Sequence, residues 1–350
     1  MNESRVTMQE VARAAGVHQT TVSLALRNDP RLPEATRIRL NALATKLGYR
    51  PDPLLSALNN YRHGRRATFA PLTMAFLLNF RDRQELTPWR PHQLFLDGAR
   101  QQAEQLGYRL EVLYVRPDHR DEGPRLQRIL QARGIVGVII AAFPDDSIRF
   151  RMEWSQFSLV LIESQQLGLS THMISNDQMM ITRHAVSRLH ELGYRRIGLA
   201  VGKRGEVNQR NGFTSGYHAE VALRRDLAPL PPLLLSGATA EDIAPALSAW
   251  VDAHRPEVIA SNWPIVPEAL RLAARKRSRK IVVASLDLNP DSGSNAGMRQ
   301  NHRVVGERAV EQLAILMKLN QRGLIEPRNR TVVDGEWIDG SDVPPRRTLG

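Results

Sequence analysis

Residues 6–23 read VTMQEVARAAGVHQTTVS, and this stretch decides the architecture of the N-terminal part of the chain. Thr7 and Glu10 have the spacing of a capping box, in which a hydroxyl and a carboxylate bond the free amides of a helix's first turn. The apolar residues that follow have the spacing of one buried helix face: Met8, Val11, Ala12 and Ala15. Gly16 favours the end of that helix and a tight turn. The stretch predicts a short helix, a turn and a second helix.

The second helix is predicted from about His18 to Leu26, and a third from Pro33, a residue suited to the first helical position, to Gly48. Two short helices joined by a glycine turn and braced by a third are typical of a helix-turn-helix unit. The second helix of such a unit lies in the major groove of DNA. The sequence therefore predicts an all-α DNA-binding head.

The outward face of the second helix carries the candidate base contacts. Gln19 and Thr20 lie in its first turn; Gln pairs with adenine through two hydrogen bonds, and Thr can contact a thymine methyl. Ser23, Leu24 and Arg27 continue the same face. Leu24 is apolar, although this face should be exposed to solvent. It either contacts a thymine methyl or is a partly exposed leucine without a role in binding. A small helical head could also dock on a protein instead of DNA.

Composition limits the class of protein. The chain has 350 residues, of which 42% are apolar and 24% charged, and these values predict a folded protein with more than one domain. It contains no cysteine, which excludes disulfides, Cys-bound zinc and a thiolate nucleophile. No stretch is long and apolar enough to span a membrane, and the N-terminus lacks a signal-peptide pattern. We expect a cytoplasmic protein.

The charge is positive and unevenly distributed. The net charge is +12, and residues 1–66 contribute +6 of it, with 11 Lys and Arg against 5 Asp and Glu. Half of the excess therefore lies in less than a fifth of the chain. This distribution favours a polyanionic partner, nucleic acid above all, although an Arg-rich surface can also serve solubility alone.

No pattern of catalytic residues stands out. The sequence has no G-x-S-x-G elbow, no G-x-x-x-x-G-K-[ST] loop, no strict G-x-G-x-x-G and no H-E-x-x-H. We predict that the chain is not an enzyme and has neither a metal site nor a cofactor.

The residues of the head resemble one known family. Residues 6–17 and 20–23, continued by Thr36-Arg37 and by LGYRP at 47–51, resemble the head of the lactose/galactose-repressor (LacI/GalR) family of bacterial transcription regulators. The resemblance implies a homodimer that binds a double-stranded DNA operator. The DNA contacts implied by position are Thr7, His18, Gln19, Thr20, Thr21, Ser23, Leu24, Arg27, Asn28 and Leu58. The family usually has a small capping residue at the place of His18 and a polar or basic residue at that of Leu24.

Residues 51–66 resemble the family's hinge helix with its linker. A helix of two or three turns is marginal in water, so it should order only against a partner. By position, Leu58 corresponds to the leucine wedge that the family inserts into the minor groove, where such wedges kink the duplex. The alternative is that the leucines of this segment pack on the core.

From about residue 68 short apolar runs alternate with amphipathic stretches, which predicts parallel sheets covered by helices on both faces. The predicted strands are Thr73–Asn79, Leu110–Val115, Val136–Ala141, Leu159–Ile162, Arg196–Ala200, Val258–Ala260, Ile281–Leu286 and Thr331–Val333. The predicted helices include Gln93–Leu106, Met179–Leu192, Ala240–Ala253 and Val304–Leu319. The fold class is therefore α/β, with the all-α head at residues 1–50 and a body at residues 67–343.

The resemblance implies that the body has the two-lobed α/β/α fold of periplasmic sugar-binding proteins. One lobe is predicted at residues 70–165 with 290–322, and the other at 170–288 with 327–342. The effector contacts implied by position, in the cleft between the lobes, are Glu163, Arg210, Asn262, Trp263 and Asp287. Each acidic residue could instead be an ordinary strand-end carboxylate, and Trp263 could simply pack the lobe.

The resemblance thus implies a ligand-responsive repressor that binds a palindromic operator as a homodimer and a carbohydrate effector in its cleft. Two other classes stay open. A sensing protein whose head contacts protein would bind its partner independently of salt and DNA sequence, and a cleft enzyme would turn over its ligand.

Overall fold

The computed structural model describes residues 6–26, 31–47, 49, 71–115, 122–141, 152–163, 169–208, 210–273, 281–289 and 295–346. The chain divides between residues 70 and 71 into two compact units, the head and the body. Three predicted DNA contacts and the predicted hinge lie outside the described residues: Arg27, Asn28, Leu58 and the segment 51–66.

The head contains helices α1 (Met8–Ala15), α2 (Gln19–Leu26) and α3 (Glu34–Lys46). The predicted capping box is confirmed: the Thr7 amide donates to Glu10 Oε2 at 2.6 Å, and the Glu10 amide donates to Thr7 Oγ1 at 3.2 Å. Gly16 ends α1 in the left-handed conformation, with φ at 65°. Both predicted signals therefore fix the turn that leads into α2.

The core of the head is small and holds α2 in place. Val11, Ala12, Val22 and Ala44 are buried together. The Asn41 side chain of α3 also donates to the carbonyl of Ala25 at 3.0 Å, near the end of α2. The buried side of α2 is thus fixed, and its first turn is left facing solvent.

The body alternates strands and helices. Its described strands are β1 (Thr73–Leu78), β2 (Arg109–Tyr114), β3 (Gly137–Ile140), β4 (Ser158–Ile162), β5 (His172–Asn176), β6 (Ile197–Gly202), β7 (Leu233–Leu235), β8 (Val258–Ser261), β9 (Val282–Ser285), β10 (Gly297–Arg299), β11 (Arg330–Val333) and β12 (Glu336–Ile338). Its described α-helices are α4 (Arg83–Leu86), α5 (Arg90–Gln105), α6 (Glu122–Ala132), α7 (Gln178–Glu191), α8 (Lys203–Asn208), α9 (Gly212–Leu223), α10 (Ala240–His254), α11 (Val266–Ala273) and α12 (His302–Lys318).

The described strands form two sheets, one in each lobe. The first has the order β11-β5-β4-β3-β1-β2, and the second has the order β12-β10-β9-β8-β6-β7. Their pairs are parallel, except that β12 runs antiparallel to β10. In β1, Met74, Phe76 and Leu78 join one buried cluster while Ala75 and Leu77 join another. The first sheet is therefore covered on both faces, as the apolar runs predicted.

The sheet pairing corrects the predicted lobe bounds. β5, at residues 172–176, and β11, at 330–333, pair with each other in the first sheet, although both had been assigned to the second lobe. β10, at 297–299, pairs in the second sheet, although it had been assigned to the first. The chain crosses between the lobes at Asp177, at residues 300–301 and at residues 334–335. The sequence missed β5 because polar residues interrupt its apolar run, and β10 because it has only three residues, whereas β11 was predicted as a strand but assigned to the wrong lobe.

In the first lobe, α5 and α12 approach each other at two glycines. A Cβ atom on Gly98 would overlap the backbone carbonyl of Arg303, and one on Gly306 would overlap the carbonyl of Phe95. Since the obstacles are backbone atoms, a side chain cannot be accommodated without moving a helix. This contact fixes the position of α12, whose first residue belongs to the candidate site described below.

We predict that Gly306→Ala lowers the free energy of unfolding of the body by about 1–3 kcal/mol, because the added methyl group forces the two helices apart. Urea unfolding followed by circular dichroism measures this change. Gly205→Ala is the matched control, since a Cβ on this helical glycine would meet its nearest neighbour at 3.7 Å. An equal loss of stability in both variants would contradict the interpretation.

Candidate functional site: the recognition helix and the interlobe cleft

In the head, His18 is the residue that begins α2. Its carbonyl accepts from the amides of Thr21 at 2.9 Å and Val22 at 3.3 Å. Its ring Nδ1 lies 2.8 Å from the Thr20 hydroxyl and 3.4 Å from the Thr20 amide. The imidazole therefore takes the capping role that a small polar residue usually has.

The predicted DNA contacts in the described part of the head differ in exposure. Thr7, His18, Gln19 and Thr20 are exposed, whereas Thr21, Ser23 and Leu24 are half-buried. Gln19 and Thr20 thus present polar groups from the first turn of a short helix. This is the arrangement that a helix needs to reach base edges in a major groove.

In the body, four predicted effector contacts follow the carboxyl ends of strands. Glu163 follows β4, Asn262 and Trp263 follow β8, and Asp287 lies two residues after β9. Ligands of parallel α/β sheets bind at this edge. Arg210 is different: it is exposed in the turn before α9, and no described hydrogen bond or ion pair of its side chain links it to the other four.

A chain of hydrogen bonds connects the carboxylates of the two lobes. Glu163 Oε1 accepts from the Asn176 side chain at 3.0 Å and from the Asn176 amide at 3.2 Å. The same Asn176 nitrogen lies 3.0 Å from Nδ1 of His302, and Nε2 of His302 lies 2.8 Å from Asp287 Oδ1. Glu163, Asn176 and His302 belong to elements of the first lobe, whereas Asp287 belongs to the second. We call these four residues the cross-lobe network.

Asn262 and Trp263 border the second lobe's side of the cleft. Asn262 Oδ1 accepts from the Gly202 amide at 3.3 Å. The Trp263 ring lies against Gly202, since a Cβ there would meet ring atoms at 3.4 to 3.6 Å. Trp263 and Asp287 also line a groove of about 520 Å³ between α11 and β9. Trp263 therefore packs on one side and reaches open space on another.

The charges around His302 perturb two histidines. Burial disfavours a charged His302, but the nearby carboxylates of Asp287 and Glu163 outweigh burial and raise its pKa. Burial, together with the nearby His302, lowers the pKa of His92 to about 4. At neutral pH, His92 is thus an uncharged neighbour of a histidine that binds protons readily.

Several residues of this region were missed in the sequence. Asn176 and His302 complete the cross-lobe network, and Gln178 and Gln300, which lie next to two of the crossings, bond each other at 3.1 Å. At the edge of the first sheet, Asn79 Oδ1 and His92 Nδ1 are buried, and within the described residues neither atom has a hydrogen-bond partner. Such atoms favour a bound polar ligand. His302 follows Gln300 and Asn301 in the sequence. A single histidine at this position does not indicate that it contacts Asp287, which lies 15 residues earlier in the chain.

The described residues contain no group of three His, Asp or Glu side chains that could hold a metal ion. Over the same residues, no helix combines the length and the apolar character needed to cross a membrane.

Comparisons with known proteins agree with this arrangement. Residues 7–52 match the family model described as "Bacterial regulatory proteins, lacI family". The HTH-type transcriptional regulator PtxS of Pseudomonas plecoglossicida is 30% identical over 226 residues, which are 64% of this chain and 62% of that protein. DegA of Bacillus subtilis (strain 168), also an HTH-type transcriptional regulator, is 24% identical over 217 residues, 60% of each protein. The chain thus aligns with less than two thirds of the length of these relatives.

Solved structures share the fold over almost the whole chain. A lac repressor dimer bound to operator and the anti-inducer ONPF has a TM-score of 0.60 at 19% identity, and the match covers 97% of this chain and 100% of that one. A complex of the transcriptional regulator CelR with cellobiose has a TM-score of 0.59 at 18% identity, with the same coverage. At these identities the likeness establishes the fold: a helix-turn-helix head followed by a two-lobed body.

We predict that Asn176→Leu lowers the free energy of unfolding by about 1–3 kcal/mol, because the backbone amide of the half-buried Asn301 loses its acceptor and Glu163 loses a donor. Thermal or urea unfolding measures the change. Asn295→Ala, at an exposed position, is the control and should stay within about 0.5 kcal/mol of the unmodified chain. An unchanged free energy of unfolding in Asn176→Leu would show that the network adds no stability.

Proposed function

We propose that this chain is a transcription regulator of the LacI family of bacterial regulatory proteins and that it binds a palindromic operator as a homodimer. Its head reads DNA, and its body binds a small carbohydrate effector between the lobes. Binding of the effector changes the relative position of the lobes and thereby the affinity for the operator. By family habit, the regulator is a repressor that acts on DNA in the cytoplasm.

The observation that carries the proposal is the first turn of α2. Gln19 and Thr20 are exposed there, on a helix that is capped by His18 and held by Asn41. The Thr20 hydroxyl contacts the His18 ring, so this turn is ordered while its polar groups stay accessible. In a major groove they are positioned to pair with base edges.

The charge of the N-terminal segment supports the same partner. Residues 1–66 have a net charge of +6, with 11 basic and 5 acidic residues. Contacts with phosphates supply sequence-independent affinity, whereas contacts with base edges supply specificity. A protein-docking head would need neither this excess nor the exposed Gln19.

The chemistry of the cleft supports a polyhydroxylated effector. Glu163 and Asp287 are acceptors for hydroxyl groups, Asn262 offers both donor and acceptor, and the Trp263 ring offers an apolar face. Asn79 Oδ1 and His92 Nδ1 add two unpaired groups from the first lobe. A related fold has been solved in complex with cellobiose, which is consistent with a sugar ligand.

A homodimer follows from the palindromic operator that two identical heads require. The structural relative solved on an operator is a dimer. Sedimentation of the chain in free solution measures its state of association directly.

The proposal is tested by selection of random DNA duplexes with the purified full chain at roughly physiological salt, followed by sequencing. We predict that a palindrome is enriched, with two half-sites about one helical turn apart. Gln19→Ala should lose discrimination at one base pair of each half-site, at a cost of about 1–3 kcal/mol per pair, while it keeps non-specific binding.

A matched control is Gln84→Ala, which changes the same residue type at an exposed position of the body. This variant should select the same palindrome as the unmodified chain. Selection without any enriched sequence, in the presence and absence of cell-extract metabolites, would contradict a DNA-reading head.

A further inference from the structure

We propose that His302 is a positioning residue of the effector cleft: it holds Asp287 across the two lobes, so that closure of the cleft depends on the protonation of this one imidazole. The inference rests on the proposed function, since Asp287 is taken there as an effector contact. It adds a regulation by protons that the proposed function does not contain.

The contact joins elements of different lobes, beside the crossing at residues 300–301, where the Gln300 side chain also donates to the Leu286 carbonyl at 2.8 Å. His302 is the first residue of α12, which packs on the first sheet and is held by the glycine contact with α5. Asp287 follows β9 of the second sheet. Nε2 of His302 and Oδ1 of Asp287 are 2.8 Å apart, with side chains that are 6% and 25% exposed. We infer that a movement of one lobe against the other lengthens this pair.

The hydrogen bonds define which protonation state is present when the network is arranged in this way. The side-chain nitrogen of Asn176 donates, so Nδ1 of His302 accepts from it and Nε2 carries the proton that is donated to Asp287. Asn176 is held in this orientation because its Oδ1 accepts from the Asn301 amide at 3.1 Å and its nitrogen also donates to Glu163. The arrangement suits a neutral imidazole.

A second proton changes this arrangement. With a proton on Nδ1, two donors would face each other, and Asn176 must turn its side-chain amide to offer oxygen. The turned amide gives up its contacts with the Asn301 amide and Glu163. The network therefore has two hydrogen-bond arrangements that differ by one proton, and the charged one adds the attraction of an imidazolium for the carboxylates.

The charged and titratable groups around His302 favour its protonation in the closed cleft. Asp287 faces it from the second lobe and Glu163 from the end of β4, whereas Arg90, on α5, opposes its charge. His92, also on α5, stays neutral because its pKa is near 4. Phe95 contacts the His302 ring edge-on, with ring centres 5.1 Å apart, and carries no charge. The titration is therefore that of His302.

The direction of the effect follows from these contacts. An open cleft separates His302 from Asp287 and returns its pKa towards the ordinary value of 6.5. The closed cleft binds the proton more tightly, so protonation favours closure, and this contribution is lost as the pH rises through the pKa of the closed form. His302 contacts Oδ1 of Asp287, so an effector would bond the other oxygen of this carboxylate.

The test measures the distance between the lobes in the full chain without DNA or effector. Because the chain has no cysteine, Gln101→Cys on α5 and Ala246→Cys on α10 introduce one spin label in each lobe at exposed positions. Labelled protein is diluted with unlabelled protein, so that pulsed dipolar spectroscopy reports the distance within one chain. Spectra are recorded at pH of about 5.5 and about 8.5, on either side of the ordinary histidine pKa.

We expect two distances, a shorter one for the closed cleft and a longer one for the open cleft. The population with the shorter distance, relative to that with the longer one, should fall several-fold from the lower to the higher pH. His302→Gln should remove this dependence, because a glutamine amide can still donate to Asp287 but does not titrate. Asp287→Asn should also remove it, and it serves as a second variant if the first folds poorly. His184→Gln, the same substitution at an exposed histidine of α7, should keep the full response.

A distance distribution that is independent of pH in the unmodified chain would overturn the inference, as would an equal pH response in His302→Gln. Neither outcome involves DNA. The test can therefore fail while duplex selection still enriches an operator, and it can succeed while selection fails.

Discussion

The two lobes of the body are joined by three crossings of the chain, and the hydrogen bond between His302 and Asp287 ties them at the edge where the strands of both sheets end. Its strength depends on the exact placement of α12, which is set by the absence of a side chain at Gly98 and Gly306. Packing in the first lobe thus determines whether the His302 ring of that lobe reaches the Asp287 carboxylate of the other. Glu163 and Asp287, which we propose as effector contacts, thus also belong to the network that links the lobes.

In both the head and the body, a histidine ring orders a neighbouring polar side chain. In the head, the ring of His18 caps α2 and contacts the hydroxyl of Thr20, so that the first turn is ordered before it meets a partner. In the body, His302 orders the carboxylate of Asp287 in the same way. Ordered polar groups lose less entropy on binding than free ones, which increases both affinity and specificity. In both units a histidine thus orders a polar group that we propose as a ligand contact.

The sequence predicted most of what depends on local patterns, and it failed where distant residues meet. The capping box of Thr7 and Glu10, and the first strand at Thr73, depend on neighbours along the chain and were found. Strand β5 was missed because His172, Ser175 and Asn176 interrupt its apolar run, although all three are buried. Asp287 was named because it corresponds to a ligand-binding residue of the family that the sequence resembles. Its partner His302 was not, because only the pairing of β10 with β9 and the packing of α12 bring the two together.

The central claim is that the body controls the head through the cleft. Its most direct measurement is the affinity of the unmodified chain and of Asp287→Asn for one selected operator duplex, by fluorescence anisotropy at the same salt and pH. If the lobes are coupled to the head, the two affinities should differ by a factor of about 5 to 150, the usual range of allosteric coupling, with unchanged binding to a scrambled duplex. Equal operator affinities, with both proteins folded, would contradict the account.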